Sequence, residues 1–144
     1  MATTNNIPRE LNWVEKRAAC TAAQIFNELC SGIDNDVSAI NAARELPDGN
    51  RFGADMMQTG RAVAVGQYGA APRKRVIVEL SGQEIKVHDD ATQSRWCATV
   101  ALNDEGRCIL KLEDGSEIEQ WHFRKKALQA LFFGEGNATI KLVV

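Results

Sequence analysis

The chain lacks the long apolar stretches by which membrane proteins and secretory leaders are recognised. No run approaches the roughly 18 apolar residues that a membrane-spanning helix needs. Residues 1–8 also contain no basic stretch followed by an apolar core. We therefore expect no membrane association and no secretion, and the sequence favours a cytoplasmic location.

Positive charge is also scarce. The 17 lysines and arginines are outnumbered by 19 aspartates and glutamates, which gives a formal net charge of −2. Without a positive field to hold a polyanion, a nucleic-acid partner is disfavoured. The rest of the composition, 44% apolar and 25% charged in 144 residues, is that of an ordinary folded protein, so we predict one domain over residues 1–144.

Cysteine and histidine are too few and too widely spaced for a familiar metal site. The four cysteines, Cys20, Cys30, Cys97 and Cys108, form no Cys-x-x-Cys pair, and two histidines cannot complete a zinc shell with them at this spacing. Cys20 and Cys30 fall on one predicted helix about 15 Å apart, beyond the reach of a disulfide. We predict free, structural thiols and no metal.

The signatures of several common catalytic and nucleotide-binding sites are missing too. The chain contains no Gly-x-Gly-x-x-Gly, no phosphate loop ending in Gly-Lys-Ser/Thr, no Gly-x-Ser-x-Gly and no His-Glu-x-x-His. The sequence therefore predicts no cofactor, and it leaves open whether the protein is an enzyme.

The N-terminal part of the sequence has helical periodicity. Across residues 9–31 the apolar side chains recur at steps of three and four, and Gly32 then offers a left-handed stop. A second apolar stripe follows over residues 34–46 and ends at Pro47. These patterns predict two helices, with a loop over residues 47–60 that glycines interrupt.

After residue 60 the apolar period becomes two, which is typical of strands. Two turns, closed by a left-handed glycine at Gly106 and at Gly115, would place Val100 opposite Leu110. The same turns place Leu110 opposite Ile118. A slip of one residue would turn every side chain to the other face, so we predict the register that keeps one face apolar.

This register also assigns the residues of the opposite face. Cys108 is predicted on the inner, apolar face and Cys97 on the outer one, so the two should not be bonded to each other. Apolar side chains scattered among charges on an outer face are typical of a protein interface, and they favour a homodimer. The predicted apolar members of that face are Ile77, Cys97, Ala101, Ile109 and Trp121.

The last part of the chain predicts a helix over residues 124–133, stopped by Gly134, and a closing strand over residues 140–144. The predicted fold class is therefore α+β. Two N-terminal helices would pack on a strongly curved antiparallel meander of about six to seven strands, a partial barrel or cup, with one C-terminal helix.

Polar side chains on the predicted inner face suggest a pocket for a small apolar ligand. Continuing the strand from Ile118 would place Gln120 and His122 there, beside Cys108. The loop before the sheet would supply a methionine lid. The predicted ligand-binding residues are Trp96, Cys108, Gln120, His122, Met56 and Met57.

Two other interpretations remain open. His122 could be the general acid or base of a small enzyme, with Asp55 or Asp89 as its orienting carboxylate, or simply a core histidine with a backbone partner. Two basic clusters could bind phosphate or RNA, although short basic runs are common on solvated faces. These clusters are Arg73, Lys74 and Arg75, and Arg124, Lys125 and Lys126.

The run His88-Asp89-Asp90 combines one imidazole and two carboxylates. Adjacent residues on an extended strand point to opposite sides, so these groups converge poorly on one metal ion. We interpret the run as a solvated turn.

Overall fold

Helices flank a continuous run of strands. The computed structural model describes residues 9–45, 50–69, 74–90 and 92–143. Within those ranges the elements are α1 (Arg9–Ala19), α2 (Ala22–Arg44), β1 (Phe52–Met56), β2 (Ala62–Gln67), β3 (Arg75–Ser81), β4 (Glu84–Asp89), β5 (Ser94–Leu102), β6 (Cys108–Leu112), β7 (Glu117–Ile118) and α3 (Gln120–Val143). The α+β class is confirmed.

The N-terminal helices are divided at Cys20 and Thr21 rather than at Gly32, so the predicted boundary is wrong. The Thr21 side chain caps α2 by accepting a hydrogen bond from the Gln24 N–H at 3.1 Å. Such a cap gives a partner to one of the free N–H groups at a helix start. α2 runs on through Gly32 and ends before Glu45, whose φ of 51° is left-handed.

Gly32 is accommodated inside α2 because its missing side chain leaves room for Arg124 of α3. A Cβ on Gly32 would lie 2.6 Å from Arg124 Nη1. Close to this crossing point, Arg124 Nε donates to Asp36 Oδ2 at 2.7 Å in a part-buried ion pair. Gly32, which the sequence pattern predicts to end a helix, therefore lies inside α2 at its contact with α3.

The strands form a seven-stranded sheet in the order β1 to β7, each antiparallel to the next. The predicted register is confirmed, since Val100 pairs with Leu110 and Leu110 with Ile118. Gly106 and Gly115 have φ of 78° and 91°, as the turn chemistry requires. Among the described residues β1 and β7 are the two edges, so the sheet is open, and its seven strands agree with the predicted meander of about six to seven.

One face of the sheet, here called the inner face, packs against α2 and α3, and the opposite face is called the outer face. Burial of apolar surface is the dominant favourable term in folding, and here it is concentrated between the inner face and the two helices. The largest fully buried side chains of this layer are Phe26, Phe123, Leu29, Ile33, Ile85, Leu110 and Leu128.

Strand β1 occupies part of the predicted loop over residues 47–60, which corrects that prediction; residues 47–49 lie outside the described residues. Phe52 is buried at the start of β1, and the side chain of Asn41 contacts its main chain. Asn41 Nδ2 donates to the Phe52 carbonyl at 2.9 Å, and the Phe52 N–H donates to Asn41 Oδ1 at 2.8 Å. Asn41 of α2 thereby supplies hydrogen-bond partners to the main chain of the edge strand β1.

The C-terminal part differs from the prediction in two ways. β7 contains only Glu117 and Ile118, and α3 begins at Gln120, so the predicted strand through Gln120 and His122 is wrong. α3 continues to Val143 with a break at Gly134, where φ is 69° and ψ is 159°. A helix therefore replaces the predicted closing strand over residues 140–143, and residue 144 lies outside the described residues.

A disulfide joins Cys20 to Cys108, with their Cα atoms 5.5 Å apart, so the prediction that these thiols are free is wrong. The helix break at Cys20 brings this residue beside β6. Cys30 and Cys97 are free, and Cys97 is not bonded to Cys108, both as predicted. Burial, and then the nearby Asp34, raise the pKa of the Cys30 thiol.

In the described part of the chain, none of the three helices combines the length and the apolar character that crossing a membrane requires.

Candidate functional site

The inner face contains core side chains where the sequence predicts a pocket. Phe26 of α2 and Leu128 of α3 are each 1% exposed, and Phe123 of α3 is completely buried. α3 supplies this filling because it begins at Gln120, which gives its buried residues helical spacing instead of strand spacing. The predicted ligand-binding residues are consequently distributed over several places.

Trp96 belongs to the core on one side and to the surface on the other. Its ring lies 4.9 Å from the Phe123 ring. Lys126 Nζ lies 5.0 Å from the Trp96 ring centroid, a cation–π geometry. Lys126, predicted as an anion-binding residue, therefore has an aromatic partner.

Cys108 and Gln120 line one small cavity of about 280 Å³ at the end of the sheet. Gln120 Nε2 donates to Glu28 Oε1 at 2.7 Å, and Gln24 Nε2 donates to the other oxygen at 2.8 Å. The hydrogen bond from Gln120, followed by that from Gln24, holds the pKa of Glu28 below its ordinary value. Through these contacts Gln120 links α3 to α2.

His122 is exposed on the first turn of α3 and stacks on Trp121, with ring centroids 5.2 Å apart. Of its two predicted orienting carboxylates, Asp55 lies on the outer face of β1, on the far side of the sheet from α3. Asp89 accepts a hydrogen bond from the Thr92 N–H at 3.3 Å. Neither carboxylate is placed by these contacts to orient His122.

The two predicted basic clusters lie on opposite sides of the sheet. Arg75 is on the outer face and donates from Nε to Asp90 Oδ2 at 2.6 Å, while Arg124 on α3 pairs with Asp36. Lys74 and Lys125 are exposed, and Arg73 lies outside the described residues. The described cations do not form one continuous surface.

A cavity of about 500 Å³ lies on the outer face and is here called the outer-face cavity. Its lining includes Met57 and Trp96 of the predicted pocket, although Trp96 pairs with the core residue Val87 and its ring contacts Phe123 on the inner side of the sheet. Met56 is half exposed on the edge strand. The other lining residues are Thr59, Ala62, Ile77, Glu79, Lys86, Val87, His88, Arg95, Cys97 and Glu113.

Two rows of cross-strand pairs form the surface of this cavity. In one row Ile77 of β3 faces His88 of β4, and His88 faces Arg95 of β5. In the next row Glu79 faces Lys86, and Lys86 faces Cys97. The first row thus combines an apolar, an imidazole and a guanidinium group, and the second mixes charges of both signs.

His88 has a carboxylate beside one ring nitrogen, and its other ring nitrogen is buried and unpaired among the described residues. Its Nδ1 lies 3.4 Å from Asp90 Oδ1, and Asp90 is itself bound by Arg75 at 2.6 Å. His88 Nε2 is buried and has no hydrogen-bond partner among the described residues. A buried polar atom without a partner carries a free-energy cost of about 1–3 kcal/mol, which a group that reached this nitrogen would remove.

Cys97 has the properties of a packing residue rather than a nucleophile. Burial, followed by repulsion from Glu84 and Glu113, raises the pKa of its thiol, and Lys86 opposes that effect. A thiol of this kind stays protonated at neutral pH. In the part of the chain that the structure describes, no group of three His, Cys, Asp or Glu side chains could hold a metal ion.

Sequence reasoning missed His88 because the run of His88, Asp89 and Asp90 was interpreted as a solvated turn. The structure continues β4 to Asp89. The signal was available in the register: pairing Val78 with Val87 also sets Ile77 opposite His88 on the outer face.

Comparison of the chain with protein-family models, with curated proteins and with solved structures finds no match. The geometry of the chain itself therefore has to carry any proposal about its function.

Proposed function

We propose that this domain is a non-catalytic binding module whose small ligand occupies the outer-face cavity. The observation that carries the proposal is that His88, which lines this cavity, has a buried Nε2 without a hydrogen-bond partner in the described part of the chain. Ligand sites commonly consist of a mainly apolar concave surface with a few fixed polar groups that orient the ligand.

The size and lining of the outer-face cavity support this proposal. Its volume of about 500 Å³ falls in the usual range of roughly 300–1,000 Å³ for small-molecule sites. Ile77 pairs directly with His88, so an apolar side chain lies next to the imidazole, and Ala62 and Met57 also belong to the lining. Asp90 fixes the orientation of the imidazole from the opposite side.

The two histidines of the chain provide the test. His88 lines the cavity, whereas His122 is exposed on α3, so the ring signals of the two residues report on the site and on a control position in one NMR spectrum. A screen of small neutral and charged fragments should contain members that shift the His88 signal and leave the His122 signal unchanged. A screen in which no fragment shifts His88 selectively would refute the proposal.

A thiol measurement gives a second readout. A bound fragment should slow alkylation of Cys97, which lines the cavity, and leave the rate at Cys30 on α2 unchanged. Equal slowing of both thiols would indicate global stabilisation and would count against a ligand in the cavity.

Catalysis by His122 is the alternative that the sequence raised. His122 is exposed and stacked on Trp121, and the Cys97 thiol has a raised pKa, so neither residue has the surroundings of an activated catalytic group. If an activity is found, loss in His122→Ala with retention in His88→Ala would favour the enzyme. The reverse result would assign the chemistry to the outer-face cavity.

The predicted homodimer is a second proposal, favoured by a groove of about 640 Å³ between α2 and α3. Ile40 and Phe133 line it, and Trp121, also in its lining, is 56% exposed. Exposed aromatic groups beside an apolar groove are typical of contact surfaces. Sedimentation should show a dimer that Trp121→Glu dissociates and Trp13→Glu, at a 52% exposed position of α1, does not. A monomeric wild-type chain would contradict it.

The cytoplasmic location stays a prediction. The Cys20–Cys108 disulfide weighs against this prediction, because disulfides persist mainly in oxidising compartments. Trapping the thiols in intact cells and counting the alkylated cysteines would decide the redox state.

A further inference from the structure

We infer that the ligand of the outer-face cavity is a small organic anion whose carboxylate contacts His88 and Arg95. This inference rests on the proposed function, because it assigns the chemical class of the ligand for the same cavity. It depends on three observations: the position of Arg95, the neutralisation of Asp90, and the separation of the cavity's own carboxylates from His88.

Arg95 directly faces His88 across the β4–β5 pair. Directly opposed side chains in an antiparallel sheet have Cβ atoms about 5 Å apart, so one ligand group can contact both. Other arginines of the fold bind carboxylates, as Arg75 binds Asp90 and Arg107 binds Glu119. Among the described residues no carboxylate lies within ion-pair distance of Arg95, which leaves its guanidinium for a ligand carboxylate of matching geometry.

An anion at His88 Nε2 does not meet an uncompensated negative charge from Asp90. Arg75 Nε lies 2.6 Å from one oxygen of that carboxylate, while His88 Nδ1 lies 3.4 Å from the other. An imidazole nitrogen that carries a proton is a hydrogen-bond donor, so Nε2–H is a group that a ligand carboxylate can accept from.

The carboxylates of the lining belong to the neighbouring row. Glu79 faces Lys86, which offers it a cation on the adjacent strand. Glu113 follows β6, beyond Cys97 in the same row. The row of Ile77, His88 and Arg95 contains no carboxylate within the cavity, so the anionic end of a ligand fits there.

The apolar residues of the lining determine the character of the ligand beyond its carboxylate. Ile77 lies beside His88 in the outer face, while Ala62, which pairs with Glu79, and Met57 also line the cavity. A compact apolar body attached to one carboxylate would satisfy both parts of the cavity, with the carboxylate towards Arg95.

The test compares three probes of one shape: benzoate, its neutral isostere benzamide, and the cation benzylamine. Each is titrated at millimolar concentration and constant ionic strength, and the ring signals of His88 and His122 are followed by NMR. Benzoate should shift the His88 signal and leave the His122 signal unchanged. Benzamide should bind about tenfold more weakly, because it loses the charge-assisted contacts.

Variants identify the group that recognises the charge. Arg95→Gln should remove the preference for benzoate over benzamide, and Arg95→Lys should retain part of it, since lysine keeps the charge and loses the forked geometry. Arg107→Gln, at an exposed arginine outside this cavity, is the matched control and should leave the preference unchanged.

The outcomes separate this inference from the proposed function. Equal shifts with benzoate and benzamide would overturn the anionic ligand and leave a binding cavity. A preference for benzylamine would also overturn it and would point to Glu79. No selective shift of His88 with any probe would overturn the assignment of an anionic ligand, and failure of the wider fragment screen would in addition overturn the proposed function.

Discussion

The Asn41 side chain bonds both main-chain groups of Phe52, donating to its carbonyl and accepting from its N–H at 2.9 and 2.8 Å. Asn41 is 6% exposed and Phe52 is 4% exposed, so the contact is buried. It fixes α2 to the edge of the sheet and gives partners to two polar groups that the edge strand would otherwise leave unpaired.

Asn41→Ala should therefore destabilise the fold by about 3 kcal/mol, because two buried main-chain groups lose their partners. Chemical denaturation gives the free energy of unfolding directly. Asn27→Ala, at an exposed position of the same helix, is the control and should change it by less than about 0.5 kcal/mol. Equal effects of the two changes would show that the contact does not stabilise β1.

Removal of the disulfide should lower stability by up to about 4 kcal/mol, since the bond closes a long loop and restricts the unfolded chain. Cys108→Ser should reproduce the effect of a reducing agent on the melting temperature. The same reagent should then have no further effect on Cys108→Ser. A melting temperature insensitive to reduction would contradict the pairing of Cys20 with Cys108.

The packing of Arg124 against Gly32 predicts that substitutions at these two residues have non-additive effects on the free energy of unfolding. Gly32→Ala should gain up to about 1 kcal/mol of helix propensity in an Arg124→Ala background. In the wild-type chain the same change should gain less or destabilise, because the new Cβ displaces the guanidinium that binds Asp36. A double-mutant cycle measures the difference, and additive effects would rule out the crossing.

The hydrogen bond from Gln120 to Glu28 predicts that the stability of the fold depends on pH. The pKa of Glu28 is held down in the folded state, so its stabilising contribution is complete above its ordinary value and is lost as the pH falls through the native value. Gln120→Ala should therefore destabilise the protein at pH 7 and have a smaller effect below about pH 4. Gln129→Ala, at an exposed position of α3, should show no such pH dependence.

The parts of the fold that the sequence predicts correctly are those that local chemistry decides. The left-handed Gly106 and Gly115 fix the turns, and the turns fix which residues of β5, β6 and β7 face each other. The outer position of Cys97 follows from the same register and is correct.

The failures have a common physical origin in distant contacts. Gly32 is typical of a helix end, but Arg124 makes it suitable for a helix interior. The disulfide depends on a helix break at Cys20, which the apolar stripe of α1 and α2 conceals. For the same reason the candidate site lies on the outer face and not on the predicted inner face. Phe123 of α3 fills the inner face where a strand was predicted.

The disulfide also divides the chain into a part inside a covalent ring and a part outside it. The bond between Cys20 and Cys108 turns the intervening chain into a covalent ring that holds α2 and β1 to β5, and α3 lies outside it. A protease that cuts once within the ring leaves a single covalent molecule until a reductant is added. A cut between β7 and α3 removes the covalent link to the helix that carries Phe123 and Arg124. That helix is then held by packing, by the ion pair with Asp36 and by the hydrogen bond from Gln120 to Glu28.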